Sequence, residues 1–266
     1  MTPLMRPKYV KGPMDAPLAI HKKIREHTMP RAEGIKVRDV RIGLGYTAVL
    51  LENGQAGVAL TFHQRLTKGC TVFDGLHPLV GRAAQELLSF LESTDEIEMA
   101  VALATANALA NRMRGDMLEG DIMEHIHVRS EEKVGMVGHF APMLPRLREK
   151  SSSIMIFEQI ERKQGNLLPE REAYRLLPQC QVAMITSTSI LNRTVEKILR
   201  AARSCREVIL LGASTPLIPE VFEGTSVTFL SGIIVTRPLE LLRIVSEGGG
   251  MPLFKENVRK VNLSLR

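Results

Sequence analysis

The sequence predicts an α/β protein: a small α+β domain, built from an antiparallel meander and two helices, precedes a doubly wound, mostly parallel sheet. Three observations support this prediction. Asn53-Gly54 separates two apolar runs, which is typical of a β-hairpin. The segment Arg114 to Ser130 is charged and contains two glycines, as a domain boundary often is. Beyond it, near-continuous apolar runs alternate with helical patterns, which favours a parallel sheet covered on both faces.

The chain length is compatible with two domains. Its 266 residues lie between the sizes expected of one large domain and of two ordinary ones, and 44% of them are apolar, enough for a sizeable core. We therefore place an α+β domain at residues 15–125 and a Rossmann-like domain at residues 126–266.

The first domain begins after a proline-rich leader. Residues 1–14 carry three prolines and a glycine and are expected to add little to the fold. Apolar periodicity then predicts the following elements. They are a helix over 16–27, strands over 37–44, 48–52 and 57–62, and helices over 79–92 and 96–113. Ser93-Thr94-Asp95 can cap the last of these helices.

The second domain alternates strands and helices. Strands are predicted at 133–137, 153–157, 182–186, 208–211 and 227–230, with a short one at 233–235. Helices are predicted at 142–150, 169–177, 191–204 and 238–246, with a short turn near Pro219. Because crossovers between parallel strands are right-handed, this succession predicts an open sheet with helices on both faces.

Composition excludes several classes of protein. The net charge of +6 comes from Lys and Arg residues interleaved with Glu, and aromatic residues are 4% without tryptophan, so no nucleic-acid partner is expected. Cys70, Cys180 and Cys205 are far apart and odd in number, which favours neither a disulfide framework nor a zinc knuckle. Without a long apolar stretch, no membrane partner is expected, and we expect a cytoplasmic protein.

The first candidate site follows the first strand of the second domain. His139 stands at the tip of a glycine turn, where its side chain could act as an acid, a base or a metal ligand; a surface histidine bonded to backbone is the alternative. Glu158 ends the next predicted strand, where nucleotide folds carry a ribose-binding acid, although such a carboxylate is more often an exposed loop residue. Ligands in open α/β sheets lie beyond these strand ends.

Hydroxyl-rich loops follow two later strands. Thr186, Ser187, Thr188 and Ser189, together with Asn192, suit either capping of the next helix or hydrogen bonding to an anionic or carbonyl group. The loop from Gly212 to Leu217 is similar, and Ser214 or Thr215 is expected to face the same crevice.

Known catalytic signatures are absent from these loops. The sequence has no G-x-G-x-x-G fingerprint, no G-x-S-x-G elbow and no P-loop lysine. The pair His125 and His127 is a weak metal signal in a charged segment. His63 and Cys70 could face the crevice only if the two domains close on each other. Cys180 and Cys205 each precede a strand and are expected to be buried and unreactive.

The order of several motifs resembles a known two-domain family, the putative heavy-metal chelation proteins. The resemblance runs from about residue 18 to residue 260. It is carried by Ile42–Thr47, Ala106–Asn111, Val137–Pro145, Phe157-Glu158, Ile185–Asn192, Leu210–Pro216 and Ile244–Gly250.

The resemblance implies a domain like the enolase N-terminal domain, then a Rossmann-like domain, with a presumed active site between them. By motif, it implies that the residues lining this cleft are Gly138, His139, Phe140, Glu158, Thr186 to Ser189, Asn192, Gly212, Ser214, Thr215, Asn107 and Asn111. It transfers no fixed set of metal ligands. A metal held by His139 and Glu158 would need further donors.

Three hypotheses of function remain open. The first is a protein that binds a small anionic or metal-chelating ligand in the cleft and takes part in metal handling; a divalent or heavy-metal ion is the cofactor to consider. The second is a transferase or lyase acting on a carboxylated metabolite, with His139 as acid or base. The third is a nucleotide-binding module that uses Glu158. A homo-oligomer is compatible with each of them.

Overall fold

The structure, a computed structural model, describes residues 19–62, 72–73, 75–151 and 153–266. Their strands form an antiparallel sheet of three strands and a mostly parallel sheet of eight. The predicted α/β class, with a small antiparallel part before a larger parallel sheet, is confirmed. The division of the chain at residues 125 and 126 stays a prediction.

The smaller sheet is a meander with helices on one side. Its elements are α1 (Ile20–Thr28), β1 (Val37–Ile42), β2 (Tyr46–Leu51), β3 (Ala56–Leu60), α2 (Ala84–Leu88) and α3 (Glu96–Ala110). Strands β2 and β3 pair antiparallel across Asn53-Gly54, and Gly54 has a positive φ of 83°. The predicted hairpin is therefore confirmed, with glycine where an L side chain would be strained.

Helix α3 lies at the centre of the molecule. Asp95 caps it by accepting hydrogen bonds from the backbone amides of Ile97 and Glu98, as the sequence predicts. All its residues except Glu96 and Glu98 are buried, as expected for a helix that is apolar on every side. It packs directly on β3, because a Cβ atom at Gly57 would lie 2.2 Å from the backbone nitrogen of Ala108.

The larger sheet has the strand order β4-β11-β10-β9-β8-β5-β6-β7. Its elements are β4 (Leu118–Glu119), β5 (Lys133–Val137), α4 (Leu144–Lys150), β6 (Ser153–Glu158), β7 (Leu167–Pro169), α5 (Ala173–Leu176), β8 (Val182–Thr186), α6 (Val195–Ala201), β9 (Glu207–Leu211), β10 (Phe229–Val235), α7 (Pro238–Ser246), α8 (Met251–Phe254) and β11 (Val258–Ser264).

Six neighbouring strands of this sheet, from β7 to β10, run parallel. Numbered along the chain from β5, they have the order 3-2-1-4-5-6, which is that of doubly wound dinucleotide-binding sheets. Strands β11 and β4 complete one edge in antiparallel fashion. The strand order reverses between β5 and β8, so the crevice where such sheets bind ligands lies beyond the ends of these two strands.

Several predicted boundaries are wrong, and the causes are local. The predicted helix over 191–204 is limited to α6, because Ser187–Ile190 forms a 3-10 turn and Arg193 adopts a positive φ of 59°, which ends any helix. In the region of the predicted helix over 169–177, the first residue belongs to β7 and only α5, a single turn, is α-helical. The predicted helix over 79–92 keeps α2 and a 3-10 turn, and the two runs near residue 230 form the single strand β10. Strands β4, β7 and β11 and helix α8 were not predicted.

The two sheets share their packing. On one face of the parallel strands, residues such as Ile185 and Leu210 belong to the same buried cluster as α3. The other face packs on α4 through residues such as Leu147. Helix α7 covers the far side of the smaller sheet, where Leu241 and Val245 pack with Leu50. Within the described part of the chain, none of the helices has the length and apolar character needed to span a bilayer.

Candidate functional site

A cavity of about 290 Å³ lies beyond the ends of the parallel strands and is closed by the smaller sheet. Tyr46 and Leu60, from β2 and β3, and the neighbouring Phe62 form the wall on that side. Nine of the predicted site residues line the cavity. They are Gly138, His139, Phe140, Glu158, Thr186, Ser187, Thr188, Gly212 and Ser214. The loops after β5, β6, β8 and β9 thus meet at the switch point of the sheet.

The turn after β5 is built around Gly138. Its φ is +91°, and a Cβ atom there would lie 2.9 Å from the Cβ of Thr186, so the turn requires glycine. The next amide, that of His139, donates to Oε2 of Glu158 at 3.0 Å, and the amide of Gln159 donates to Oε1 at 2.8 Å. Glu158 therefore holds the turn after β5 through Oε2, while Oε1 binds the amide of its own neighbour, Gln159.

The His139 side chain is exposed at the mouth of the cavity. Among the residues that the structure describes, no hydrogen-bond partner is found for its imidazole ring. The ring nitrogens are therefore available to a ligand, in contrast to those of a histidine whose nitrogens are both occupied by protein groups.

The hydroxyl loop after β8 divides into two groups. Thr186 and Thr188 bind each other through their hydroxyls at 2.9 Å, and Ser189 donates to the carbonyl of Thr186 at 2.6 Å. These contacts close the 3-10 turn. Ser187 differs, because its hydroxyl is fully buried and has no hydrogen-bond partner within the described residues. This hydroxyl lies close to Gly212, where an added Cβ atom would be 2.9 Å from it. Ser189 does not line the cavity.

The loop after β9 joins the two sheets. Ser214 Oγ accepts a hydrogen bond from the Leu60 amide at 2.9 Å, so this cavity residue ties the loop to β3. Thr215 is fully buried and lies outside the cavity lining; in the described part of the chain its hydroxyl lacks a partner. Gly212 has a φ of +127°, which an L residue rarely adopts.

The two asparagines of the α3 region lie behind the cavity. Asn107 donates to the carbonyls of Val58 and Ser214 at 2.9 and 3.2 Å. Asn111, which caps the helix end, donates to the carbonyls of Thr215 and Ile233 and accepts from the Leu217 amide. The resemblance implies that both asparagines line the cleft, but their side chains bind backbone of β3, β10 and the loop after β9 and are not part of the cavity lining.

Asn192 likewise lies outside the cavity lining. Its Oδ1 accepts from the amide and the hydroxyl of Thr194, at 3.2 and 2.8 Å. This is local capping of the turn before α6, which was one of the two roles that the sequence left open.

The remaining described candidates, Cys180, Cys205 and His125, do not line this cavity. Burial raises the pKa of Cys180 to about 11 and that of Cys205 to about 12, so both thiols stay protonated, as expected of buried cysteines. His125 binds the backbone carbonyl of Glu119 at 2.8 Å. His63 and Cys70 lie outside the described residues.

Six residues of the cavity were not among the predicted site residues: Tyr46, Leu60, Phe62, Gln159, Glu170 and Ala213. Desolvation by burial raises the pKa of the Tyr46 phenol. Tyr46 belongs to the Gly-Leu-Gly-Tyr run of the resemblance, which was a usable signal. Glu170 follows β7, and without that strand the sequence offered no reason to place it beside Glu158.

The cavity offers few metal donors of its own. In residues 19–62, 72–73, 75–151 and 153–266, no group of three or more His, Cys, Asp or Glu side chains is placed to hold a metal ion. Of the predicted pair, Glu158 is engaged with backbone amides and His139 is free. These residues alone therefore do not form a complete coordination sphere, since Zn²⁺ takes four ligands and hard cations take more.

Known protein families and proteins match most of the chain. A family model described as putative heavy-metal chelation matches residues 121–264, and a second model with the same description matches residues 25–110. An uncharacterized protein of Methanocaldococcus jannaschii is 26% identical over 242 residues, which are 88% of this chain and 92% of that protein.

Two crystal structures of proteins of unknown function share the fold. The one from Pyrococcus horikoshii has a TM-score of 0.81 at 23% identity, covering 92% of this chain and 99% of that chain. The one from Desulfitobacterium hafniense has a TM-score of 0.72 at 22% identity, covering 91% and 98%. Since the matched models together span both sheets, the chain belongs to the putative heavy-metal chelation family.

Proposed function

We propose that the cleft between the two sheets binds a small anionic or metal-chelating ligand and that the protein serves in metal handling. The observation that carries the proposal is the convergence of nine predicted residues on one cavity, at whose mouth the imidazole of His139 has no hydrogen-bond partner among the described residues. Family membership points to the same chemistry.

The donor groups favour a metal that arrives with its own ligand over a bare ion. His139 can supply one nitrogen, while Glu158 is occupied by backbone amides. Glu170 adds a carboxylate to the wall. A metal chelate brings most of its donors with it, so a single imidazole is enough to complete its coordination. The buried Ser187 hydroxyl can donate to an oxygen of the chelator.

The test compares bound material in wild-type protein and in His139→Ala. Protein purified without an affinity tag should carry metal or an organic ligand in native mass spectrometry and elemental analysis. In titrations with Ni²⁺ alone and with equimolar Ni²⁺ and citrate, we expect the mixture to bind more tightly and His139→Ala to weaken it at least about tenfold, the loss of one metal ligand. His127→Ala is the matched control, because His127 is also exposed but lies before β5, at the opposite end of that strand. Equal binding by wild type and His139→Ala would contradict the proposal.

The second candidate is a nucleotide-binding module, favoured by the strand order and by Glu158 at the end of β6. A ribose would have to share the Glu158 carboxylate with the two backbone amides that already donate hydrogen bonds to it. A thermal shift with nucleotides that Glu158→Ala removes would support this candidate against the first.

The enzyme hypothesis uses the free imidazole of His139 as an acid or base. Turnover in a screen of carboxylated metabolites, with a pH profile that His139→Gln abolishes, would favour catalysis over binding alone.

A further inference from the structure

A second cavity, of about 310 Å³, adjoins the first. The two share Tyr46, Phe140, Gly212 and Ala213, so they are neighbouring chambers of one cleft. Hereafter they are the His139 chamber and the second chamber. The volume of the second chamber is at the lower end of the range of about 300–1,000 Å³ for small-molecule sites.

The walls of the second chamber are mainly apolar and adaptable. Met123, Met143 and Met251 line it, together with the rings of Tyr46 and Phe140. Methionine fills irregular gaps and makes favourable contacts with aromatic rings. Such walls suit the apolar, above all aromatic, part of a small molecule.

The charged groups of the second chamber are two cations and one carboxylate. Arg146 on α4 and Lys260 on β11 both face Asp121, at 3.6 Å and 4.0 Å. Both distances exceed a hydrogen bond, and Asp121 already accepts from the Met123 amide at 2.9 Å. One carboxylate thus faces two loosely held cations, which leaves a net positive charge of one for a ligand. In the described lining of the His139 chamber, by contrast, there are carboxylates and no lysine or arginine.

We propose that the second chamber binds the apolar body and acidic group of an organic acid, with the acid paired to Arg146 and Lys260. This inference rests on the proposed function, because it assigns the metal-binding head of the same ligand to the His139 chamber. The ligand class is then an organic acid with an apolar or aromatic body at one end and metal-binding donors at the other.

The experiment follows the methyl signals of ¹³C-methyl-methionine protein during titration with 3-phenylpropanoate and with 3-phenylpropanamide, its neutral analogue. We expect the acid to shift the signals of Met123, Met143 and Met251 by ring currents while Met99, buried in α3, stays unchanged. The acid should bind about two- to fivefold more tightly than the amide, the range of one partly exposed ion pair.

Charge variants locate the acidic group. Arg146→Gln and Lys260→Gln should each reduce the affinity for the acid to that for the amide, while Arg148→Gln, on the same helix but outside the chamber lining, leaves it unchanged. Asp121→Asn keeps the oxygen that accepts from the Met123 amide and frees both cations, so it should tighten the acid about two- to fivefold without affecting the amide.

The outcomes separate this inference from the proposed function. His139→Ala should leave binding of 3-phenylpropanoate unchanged, so loss of Ni²⁺–citrate binding alone tests the proposed function. If the acid and the amide bind equally, if neither binds, or if the three methionine signals stay in place, the inference is overturned even where Ni²⁺–citrate binds at His139.

Discussion

Replacement of Asn111 by alanine should destabilise the protein severely, because this side chain joins α3 to the loop after β9. It is 7% exposed and makes three hydrogen bonds to backbone. It donates to the carbonyls of Thr215 and Ile233 at 3.0 and 3.2 Å and accepts from the Leu217 amide at 2.9 Å. The loop carries the Ser214 wall of the cleft, so the asparagine positions the site without touching a ligand.

The magnitude follows from these three contacts. Each intramolecular hydrogen bond contributes about 1 kcal/mol net, which makes about 3 kcal/mol. In Asn111→Ala the Leu217 amide also loses its acceptor, and a buried unsatisfied donor costs about 1–3 kcal/mol. We therefore expect the free energy of unfolding to fall by about 4–6 kcal/mol, among the largest effects of a single substitution.

Urea unfolding followed by far-ultraviolet circular dichroism measures this change, since the chain has no tryptophan to report by fluorescence. Asn192→Ala is the matched control: its side chain accepts only from Thr194, so it should cost about 1 kcal/mol. If the free energy of unfolding of Asn111→Ala lies within about 1 kcal/mol of the wild-type value, these hydrogen bonds contribute less to stability than assigned here.

Two further predictions concern the packing and the charges of the fold. Gly57→Ala should lower the free energy of unfolding by about 3 kcal/mol or more, because its Cβ would lie within 2.3 Å of two α3 backbone atoms. Gly115→Ala is the control and should be tolerated, since no atom of the described chain lies within 4 Å of the new Cβ. Equal stability of the two variants would refute the close approach of β3 and α3. Hydrogen bonds from the Arg206 guanidinium hold the pKa of Glu132 below its ordinary value of about 4.5. This stabilisation is present above pH 4.5 and is lost as the pH falls through the lowered pKa, so the stability difference between wild type and Arg206→Gln in urea should shrink below about pH 4.5; a constant difference would refute it.

Local sequence signals predicted much of the framework. The hairpin at Asn53-Gly54 and the cap at Asp95 depend on residues close in sequence, and both are confirmed. Strands β5 and β8 were predicted from their own apolar residues, without knowledge of the strands that they pair with. Strand β7 was missed because three residues ending in Pro169 carry no periodicity. Strand β11 was missed because its charged residues interrupt the apolar pattern by which the other strands were recognised. Its antiparallel pairing with β10 is seen only in the folded protein.

The candidate site was predicted by position but not by role. The strand ends indicated which loops would lie near each other, and the structure places nine of the predicted residues around one cavity. Asn107 and Asn111 were expected to line the cleft, but the sequence could not say whether a ligand or protein backbone lies opposite their side chains. Tyr46 was not assigned because it reaches the cavity from the other sheet.

The sequence by itself therefore determined the α/β class, the alternation of strands and helices, and the loops that carry polar groups. These follow from turn chemistry and from hydrophobic periodicity, which act over a few residues. Only the tertiary structure decided that the imidazole of His139 stays free while Glu158 is committed to backbone, and that Arg146 and Lys260 face one carboxylate. Such roles depend on contacts between residues far apart in the chain, where each polar group takes the partner that packing brings within hydrogen-bond distance.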